Sequence, residues 1–166
     1  MIEKIVSGAQ TGADRGALDV AIRHGFPHGG WCPKGRKAED RIIGLQYNLI
    51  ETPTDNYLQR TEWNVRDTGG TVVFTLSETV SGGSLRTIEF CKKHKKPAAH
   101  ISRSAKYKPA DALPRFVAEQ KIKVLNVAGP RESKEPGVGL WGYQVLEDAF
   151  FWGKAHPSML DDPGEG

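Results

Sequence analysis

The stretch KIVSGAQTGAD, residues 4–14, has the order of a short buried strand, a glycine-containing turn and the start of a helix. Apolar residues at positions 13, 17, 20 and 21 follow the spacing of one helical face, so a helix is predicted over 12–24. This strand–turn–helix unit is the building block of α/β proteins, and its recurrence along the chain determines the predicted fold.

The same alternation continues to residue 152. The pattern predicts strands over 4–8, 29–35, 70–76, 97–102 and 123–129. It predicts helices over 12–24, 55–68, 83–96, 110–121 and 139–152, with 36–54 mostly loop. We therefore expect an α/β fold with a single doubly wound, mainly parallel sheet and helices on both faces. No linker divides the chain, so one domain is expected over 1–156, followed by a C-terminal tail over 157–166.

Residues with capping chemistry stand near several predicted helix ends. Asp55 is predicted to cap the second helix and Ser84 the third. Pro114 is expected in the first turn of the fourth helix, where proline is tolerated. Thr11 and Asp14 have the spacing of a capping box, so they either satisfy the first helix alone or bind a ligand as well.

Composition narrows the class of protein. Of 166 residues, 38% are hydrophobic and 26% charged, which is typical of a globular domain. The net charge is only +3, so no nucleic-acid partner and no membrane surface is expected. The beginning of the sequence lacks the long apolar stretch of a signal peptide or membrane span. Cys32 and Cys91 do not make a disulfide framework, which favours a reduced, cytoplasmic setting.

Three turns rich in Gly, Ser and Thr follow the first, third and fifth predicted strands: SGAQTGAD (7–14), SETVSGGS (77–84) and AGPRES (128–133). In a doubly wound sheet the ligand lies beyond the carboxyl ends of the strands, where these turns would meet. Their backbone N–H groups and hydroxyls predict an anion-binding crevice.

Candidate ligand-binding residues lie in these turns and in two neighbouring segments. They are Gly8, Gln10, Thr11, Gly12, Asp14, Trp31, Lys34, Arg60, Gly82, Gly83, Ser84, Thr87, Gly129 and Arg131. Lys34, Arg60 and Arg131 would supply positive charge to a phosphate. Trp31 either stacks on a ring of the ligand or packs in the protein interior, and the sequence leaves both open.

Other kinds of site are disfavoured. The first turn has neither the G-x-G-x-x-G spelling of a dinucleotide loop nor the ending of a Walker loop. His24, His28 and Cys32 do not align for a metal, since Phe26 and Pro27 interrupt the helix, so no protein-bound metal is predicted. No G-x-S-x-G turn occurs, which disfavours a serine hydrolase.

Four blocks along the chain resemble a family of proposed molybdenum cofactor carriers: SGAQTGADRGALDVAI, PHGGWCPKGRKAEDR, ETPTDNYLQRTEWNVRDTGGTVV and NVAGPRES. They follow the family's order over nearly the whole chain. That family belongs to a Rossmann-like group which includes DprA and the Lonely Guy phosphoribohydrolases. The resemblance implies a doubly wound fold and a bound ligand that is either molybdopterin, the organic part of the molybdenum cofactor, or a nucleotide.

The phosphoribohydrolases carry a P-G-G-x-G-T-x-x-E motif, which this sequence matches only in part. Gly82, Gly83 and Glu89 fall on its glycines and glutamate, whereas Ser81 replaces the proline and Leu85 the third glycine. The first expectation is therefore a carrier. The alternatives are an N-glycosidase that acts on nucleoside monophosphates, with Glu89 and Arg60 as catalytic residues, and a nucleotide sensor without catalysis. Glu89 on a solvated helix face is the structural alternative to its catalytic role.

Apolar residues cover more than one stripe of the last predicted helix: Leu140, Trp141, Tyr143, Val145, Leu146, Phe150, Phe151 and Trp152. A homo-oligomer that covers the additional stripe is expected. Packing of the loop 36–54 against the same helix is the alternative.

Overall fold

The computed structural model describes residues 1–152, over which strands and helices alternate. The strands are β1 (Lys4–Val6), β2 (His28–Gly29), β3 (Trp31–Cys32), β4 (Ile50–Glu51), β5 (Gly70–Thr75), β6 (Ala98–Ser102) and β7 (Val124–Ala128). The helices are α1 (Ala13–Arg23), α2 (Tyr57–Arg66), α3 (Gly82–Lys93), α4 (Pro109–Glu119) and α5 (Val138–Phe150). The predicted boundary between residues 156 and 157 lies outside the described residues.

Five strands form one parallel sheet in the order β2-β1-β7-β5-β6. The last strand of the chain therefore lies at its centre, with Leu125 opposite Ile5 of β1 and Val127 opposite Val72 of β5. The predicted α/β fold is confirmed. The predicted strand over 29–35 is divided, because β3 leaves this sheet and pairs with β4 in a separate two-stranded sheet.

One face of the large sheet, here called the apolar face, carries the main hydrophobic core. Ile5, Val72, Phe74, Leu125 and Val127 belong to this core, and each is buried. Helices α1 and α4 both pack against α5 on this side. Alternate residues of parallel strands point to opposite faces, so the same strands must supply a second lining.

That second lining, here called the polar face, packs against α2 and α3 and contains buried hydrogen-bonding groups. Asn126 of β7 donates a hydrogen bond from Nδ2 to the hydroxyl of Thr71 in β5, at 3.1 Å. Ser84 and Thr87 of α3 are buried on the same side. Buried polar groups need partners, and the polar face supplies them within the protein or towards a cleft.

The ends of three helices differ from the sequence prediction. Asn56, not Asp55, caps α2, and its side chain accepts a hydrogen bond from the N–H of Leu58 at 2.9 Å. Ser84 lies inside α3, whose N-cap is Ser81. Helix α4 begins at Pro109, so Pro114 lies in its second turn. Shifts of one to three residues follow from turn geometry that hydrophobic periodicity does not encode.

The predicted capping box at the first helix is not formed. The N-cap of α1 is Gly12, and no side chain caps it. Asp14 accepts a hydrogen bond from the N–H of Gln10 and pairs with a side chain of α2, while Thr11 contacts the loop 36–54. Both residues therefore form tertiary contacts instead of the capping box.

Aromatic residues of the last helix are largely used inside the molecule. Trp141 packs edge-to-face on Phe74, with ring centroids 5.5 Å apart, and Phe151 stacks on His24 at 4.7 Å. The partners are Phe74 of β5 and His24, the residue that follows α1, rather than residues of the loop 36–54. Leu140 remains 66% exposed.

Candidate functional site

A cleft of about 530 Å³ lies beyond the carboxyl ends of β1, β5 and β7. Its walls come from the three predicted turns and from the start of α2. The lining residues are Gln10, Asp14, Tyr57, Leu58, Arg60, Thr61, Thr75, Ser77, Ser81, Gly83, Ser84, Thr87, Ala128, Gly129, Pro130, Arg131, Lys134 and Glu135. The position is the one that parallel topology favours for a ligand.

A buried ion pair between Asp14 and Arg60 forms the floor of the cleft. Nη1 of Arg60 lies 3.2 Å from Oδ2 of Asp14, and the two side chains are 13% and 4% exposed. Burial raises the pKa of Asp14, against the opposing effect of Arg60. Burial likewise lowers the pKa of Arg60, against the effect of Asp14. Each charge therefore depends on the other to remain ionised in this position.

Gly8 allows Arg60 to reach this position. The arginine side chain lies directly over Gly8, and a β-carbon there would overlap its Nη1, Cδ and Cζ atoms. Only glycine leaves the necessary space. Gly8 thus supports the floor from beneath and does not line the cleft.

The mouth of the cleft is positively charged. The guanidinium of Arg131 lies over the ring of Tyr57, with Cζ 4.8 Å from the centroid. Nζ of Lys134 lies beside the start of α3, 3.1 Å from where a β-carbon on Gly82 would be. No side chain caps α3 at Ser81. Two cations and an uncapped helix N-terminus therefore surround the same opening.

Hydrogen bonds fix the end of β5 at the edge of the cleft. Oε1 of Glu135 accepts from the N–H groups of Leu76 at 2.6 Å and Ser77 at 3.1 Å. The hydroxyl of Thr75 donates to the carbonyl of Ser77, so it can only accept from Nε2 of His100, at 2.6 Å. Nε2 of His100 therefore carries the proton of this hydrogen bond. Burial lowers the pKa of His100, against the opposing effect of Glu135.

Comparisons with known proteins agree with this architecture. The model of the circularly permutated YpsA SLOG family matches residues 5–150. The chain belongs to this family. A crystal structure of a "Putative molybdenum carrier protein" from Syntrophus aciditrophicus SB is 43% identical, with a TM-score of 0.85. The alignment covers 90% of this chain and 95% of that one. No curated protein matches the chain.

These matches confirm the resemblance to the molybdenum carrier family that the sequence showed. Eight of the predicted residues line the cleft together: Gln10, Asp14, Arg60, Gly83, Ser84, Thr87, Gly129 and Arg131. Seven do not line it: Gly8, Thr11, Gly12, Trp31, Lys34, Gly82 and Glu89. Residues from all three predicted turns therefore line one cleft, as expected for turns that follow parallel strands.

Thr11 belongs to a clasp that joins three separate segments. The carboxylate of Glu39 accepts from the hydroxyl of Thr11, from the hydroxyl of Ser133 at 2.6 Å and from its N–H at 3.3 Å. Hydrogen bonds from Ser133 and Thr11 hold the pKa of Glu39 below its ordinary value. Beside it, Arg15 forms an ion pair with Asp40 at 2.5 Å. We call this set the Glu39 clasp, and it holds the loop 36–54 against the segment after β7.

Trp31 is half-buried and packs against α2. Its ring lies edge-to-face on Trp63, with centroids 4.8 Å apart, and its indole N–H donates to Asp67 at 2.8 Å. Asn64 accepts from the N–H of Trp31 and donates to its carbonyl oxygen. Of the two roles that the sequence left open, the structure shows packing.

Lys34 and Glu89 are exposed and away from the cleft lining. The carboxylate of Glu89 lies 3.4 Å from the guanidinium of Arg86 on the same helix face. This is the solvated position considered as the structural alternative for Glu89. Its catalytic role stays a prediction, and its absence from the cleft lining does not favour that role.

The cleft residues that the sequence prediction missed include two charged side chains, Lys134 and Glu135, and one aromatic side chain, Tyr57. Lys134 and Glu135 directly follow the predicted AGPRES turn, and extending that turn by two residues would have included them. Tyr57 begins α2, and its place beside two arginines depends on how α2 packs. Its sequence context carries no signal for that role.

Two classes of feature are absent from residues 1–152. No group of three or more His, Cys, Asp or Glu side chains there is arranged to hold a metal ion. None of the helices in that range combines the length and apolarity needed to cross a bilayer.

Proposed function

We propose that the protein carries a small phosphate-bearing ligand, either molybdopterin or a nucleotide, in the cleft beyond β1, β5 and β7. The observation that carries the proposal is the positive charge at the mouth, where Arg131 and Lys134 form no ion pair within residues 1–152. Lys134 lies beside the uncapped N-terminus of α3, and Arg131 lies near the same opening on the ring of Tyr57. An anion between these groups would offset their repulsion and accept hydrogen bonds from the helix N–H groups.

The nearby carboxylates do not supply that anion. Asp14 is paired with Arg60, and Glu135 accepts hydrogen bonds from two backbone N–H groups. None of the ion pairs within residues 1–152 uses Arg131 or Lys134. The charge at the mouth therefore favours a phosphate or another small dianion.

Similarity to a protein of known structure supports the proposed kind of ligand. The 43% identical protein is called a molybdenum carrier, and the resemblance stated from the sequence points the same way. Neither Cys32 nor Cys91 lines the cleft, and both are buried. A molybdenum atom in this cleft would therefore be held by sulfurs of its own cofactor rather than by protein thiolates.

Calorimetric titration with AMP as the probe tests the proposal, together with mass spectrometry of any ligand released from natively purified protein. We expect the double variant Arg131→Ala, Lys134→Ala to weaken AMP binding by about tenfold or more, since two charge-assisted contacts are lost. The matched control is Lys106→Ala, Arg115→Ala, which removes two exposed cations elsewhere. Equal affinity of the wild type and the cleft variant would contradict the proposal.

The same probe separates carriage from hydrolysis. A carrier returns AMP unchanged, whereas an N-glycosidase releases adenine. If adenine appears and Glu89→Gln abolishes it, the carrier assignment is wrong and the catalytic prediction for Glu89 is supported.

Two wider expectations also remain proposals. A cytoplasmic location is proposed from the two cysteines, which are free thiols. Self-association through the last helix is proposed from the exposed Leu140. Light scattering that shows a monomer would remove the second.

A further inference from the structure

One hydrogen-bond acceptor beside the floor of the cleft has no partner. Gln10 is only 2% exposed, and its Nε2 donates to the carbonyl oxygen of Lys37 at 2.8 Å. That bond fixes the orientation of the amide, because a flipped amide would set two oxygens against each other. Oε1 of Gln10 is thereby left buried, with no hydrogen-bond partner among the described residues. Such a group is costly unless something else satisfies it.

A second, much smaller cavity does not supply the missing partner of the Gln10 oxygen. This cavity of about 10 Å³ lies behind the floor and has room for about one water molecule. Asp14, Arg60 and Asn126 are among its polar lining groups, so a water there can serve the buried Nε of Arg60, which also lacks a partner. Gln10 lines the cleft but not this cavity. Because Gln10 lines the cleft, a donor on a ligand in the cleft is the remaining candidate partner for its oxygen.

The charges around the floor restrict what that occupant presents. Oε1 of Gln10 can only accept, so the ligand must donate. The one carboxylate at the floor, Asp14, is already neutralised by Arg60. A cationic donor would approach the buried guanidinium without a carboxylate of its own, and its desolvation would be uncompensated. A neutral N–H or O–H group fits this environment.

We infer that Oε1 of Gln10 accepts a hydrogen bond from a neutral donor at the end of the ligand remote from its phosphate. The cleft then takes phosphomonoesters with such a donor, a heterocycle N–H or a sugar O–H, in preference to bare phosphate. This inference rests on the proposed function, because the mouth must first hold the phosphate. Gln10 would be the residue that determines specificity.

A series of probes on the full chain tests the inference by calorimetry. The probes are inorganic phosphate, which has no remote end, ribose 5-phosphate, which adds hydroxyl donors, and GMP, which adds ring N–H donors. We expect the wild type to prefer at least one of the two esters over inorganic phosphate by about tenfold, the value of one good hydrogen bond. Preference for GMP alone identifies a heterocycle N–H, and equal preference for both esters identifies a sugar hydroxyl.

Two substitutions assign the preference to the Gln10 oxygen. Gln10→Met keeps the shape but removes the acceptor, so we expect the preference to fall to about threefold or less, with phosphate affinity retained. Gln10→Glu loses the bond to Lys37 but keeps an acceptor, so we expect the preference to persist. If both variants lose it, the Lys37 contact is responsible and the inference is wrong.

Other outcomes distinguish this inference from the proposed function. If the wild type binds all three probes equally, the mouth binds phosphate but Gln10 reads nothing, and only the inference is overturned. An equal loss of affinity for all three probes in Gln10→Met also overturns the inference, since the role of Gln10 would then be structural. If no probe binds the wild type, both the proposed function and the inference are overturned.

Discussion

Alternate residues of β5 enter two different environments. Val72 and Phe74 join the aliphatic and aromatic core of the apolar face, whereas Thr71 and Thr75 lie on the polar face. Thr71 accepts a hydrogen bond from Asn126, and Thr75 lines the cleft. One strand therefore serves both packing and the candidate site, because its side chains alternate.

The contrast separates two physical tasks. Burial of apolar surface on the apolar face supplies most of the stabilisation. The polar face contributes less to stability, since its buried groups mainly replace hydrogen bonds to water with hydrogen bonds within the protein. It also provides the polar groups that line the cleft. Substitutions on the two faces should therefore affect stability and binding differently.

The largest expected effect is on the apolar face. Phe74 is fully buried and packs on Trp141, so Phe74→Ala should lower the free energy of unfolding by about 3–5 kcal/mol. Thr71→Val, of nearly equal volume on the polar face, should cost about 1–3 kcal/mol because Asn126 loses its acceptor. Urea denaturation measures both, and Phe74→Leu provides a milder variant. A larger loss in Thr71→Val than in Phe74→Ala would break the comparison.

A pair of glycines gives an intermediate effect. A β-carbon at Gly16 would collide with the carbonyl oxygen of Gly139, where α1 crosses α5. Gly16→Ala should therefore cost about 1–3 kcal/mol from overpacking. Gly83 lines the cleft and has no atom near the corresponding position, so Gly83→Ala should change stability by less than about 1 kcal/mol. Thermal denaturation compares them, and equal losses would show that both glycines are equally crowded.

The smallest effect concerns the Glu39 clasp and depends on pH. Its hydrogen bonds hold the pKa of Glu39 below the ordinary 4.5, so its stabilisation is complete above about pH 4.5 and is lost as the pH falls through the lower folded value. Glu39→Gln should be less stable than the wild type at pH 7, by less than about 1 kcal/mol after solvent screening.

The difference between Glu39→Gln and the wild type should shrink as the pH falls from 7 towards about 3, because a growing fraction of the carboxylate is then protonated in both the folded and the unfolded state. Urea denaturation at both pH values measures it. Glu119→Gln, on an exposed part of α4, is the matched control. A difference that persists unchanged at low pH would show that the charge of Glu39 has no part in the clasp.

The fold followed from the sequence because its signals are local. Apolar runs such as those of β5 and β7 predict buried strands wherever they lie in the chain. The division of 29–35 into β2 and β3 could not be predicted, since strands of two residues carry no periodicity. The break falls at Gly30, whose φ of 139° is accessible mainly to glycine.

The candidate site was predictable only where topology determines it. Gln10, Ser84 and Arg131 follow strands of one parallel sheet, so their convergence required only the strand order. Glu39 and Tyr57 act through contacts between segments far apart in sequence, which no local pattern encodes. Thr11 and Asp14 show the same limit, because partners in other segments replaced the local capping that their spacing favours.

The central position of β7 has a consequence for synthesis of the protein. Until residues 124–128 have left the ribosome, β1 and β5 each lack the neighbour that later lies between them. Any pairing of β1 with β2, or of β5 with β6, before that point would leave an open strand edge, which is a site of unwanted pairing. The loop over 129–135, which carries the charge at the mouth, follows only afterwards. The central strand and the charged loop of the cleft are therefore completed together, once residues 124–135 have been added.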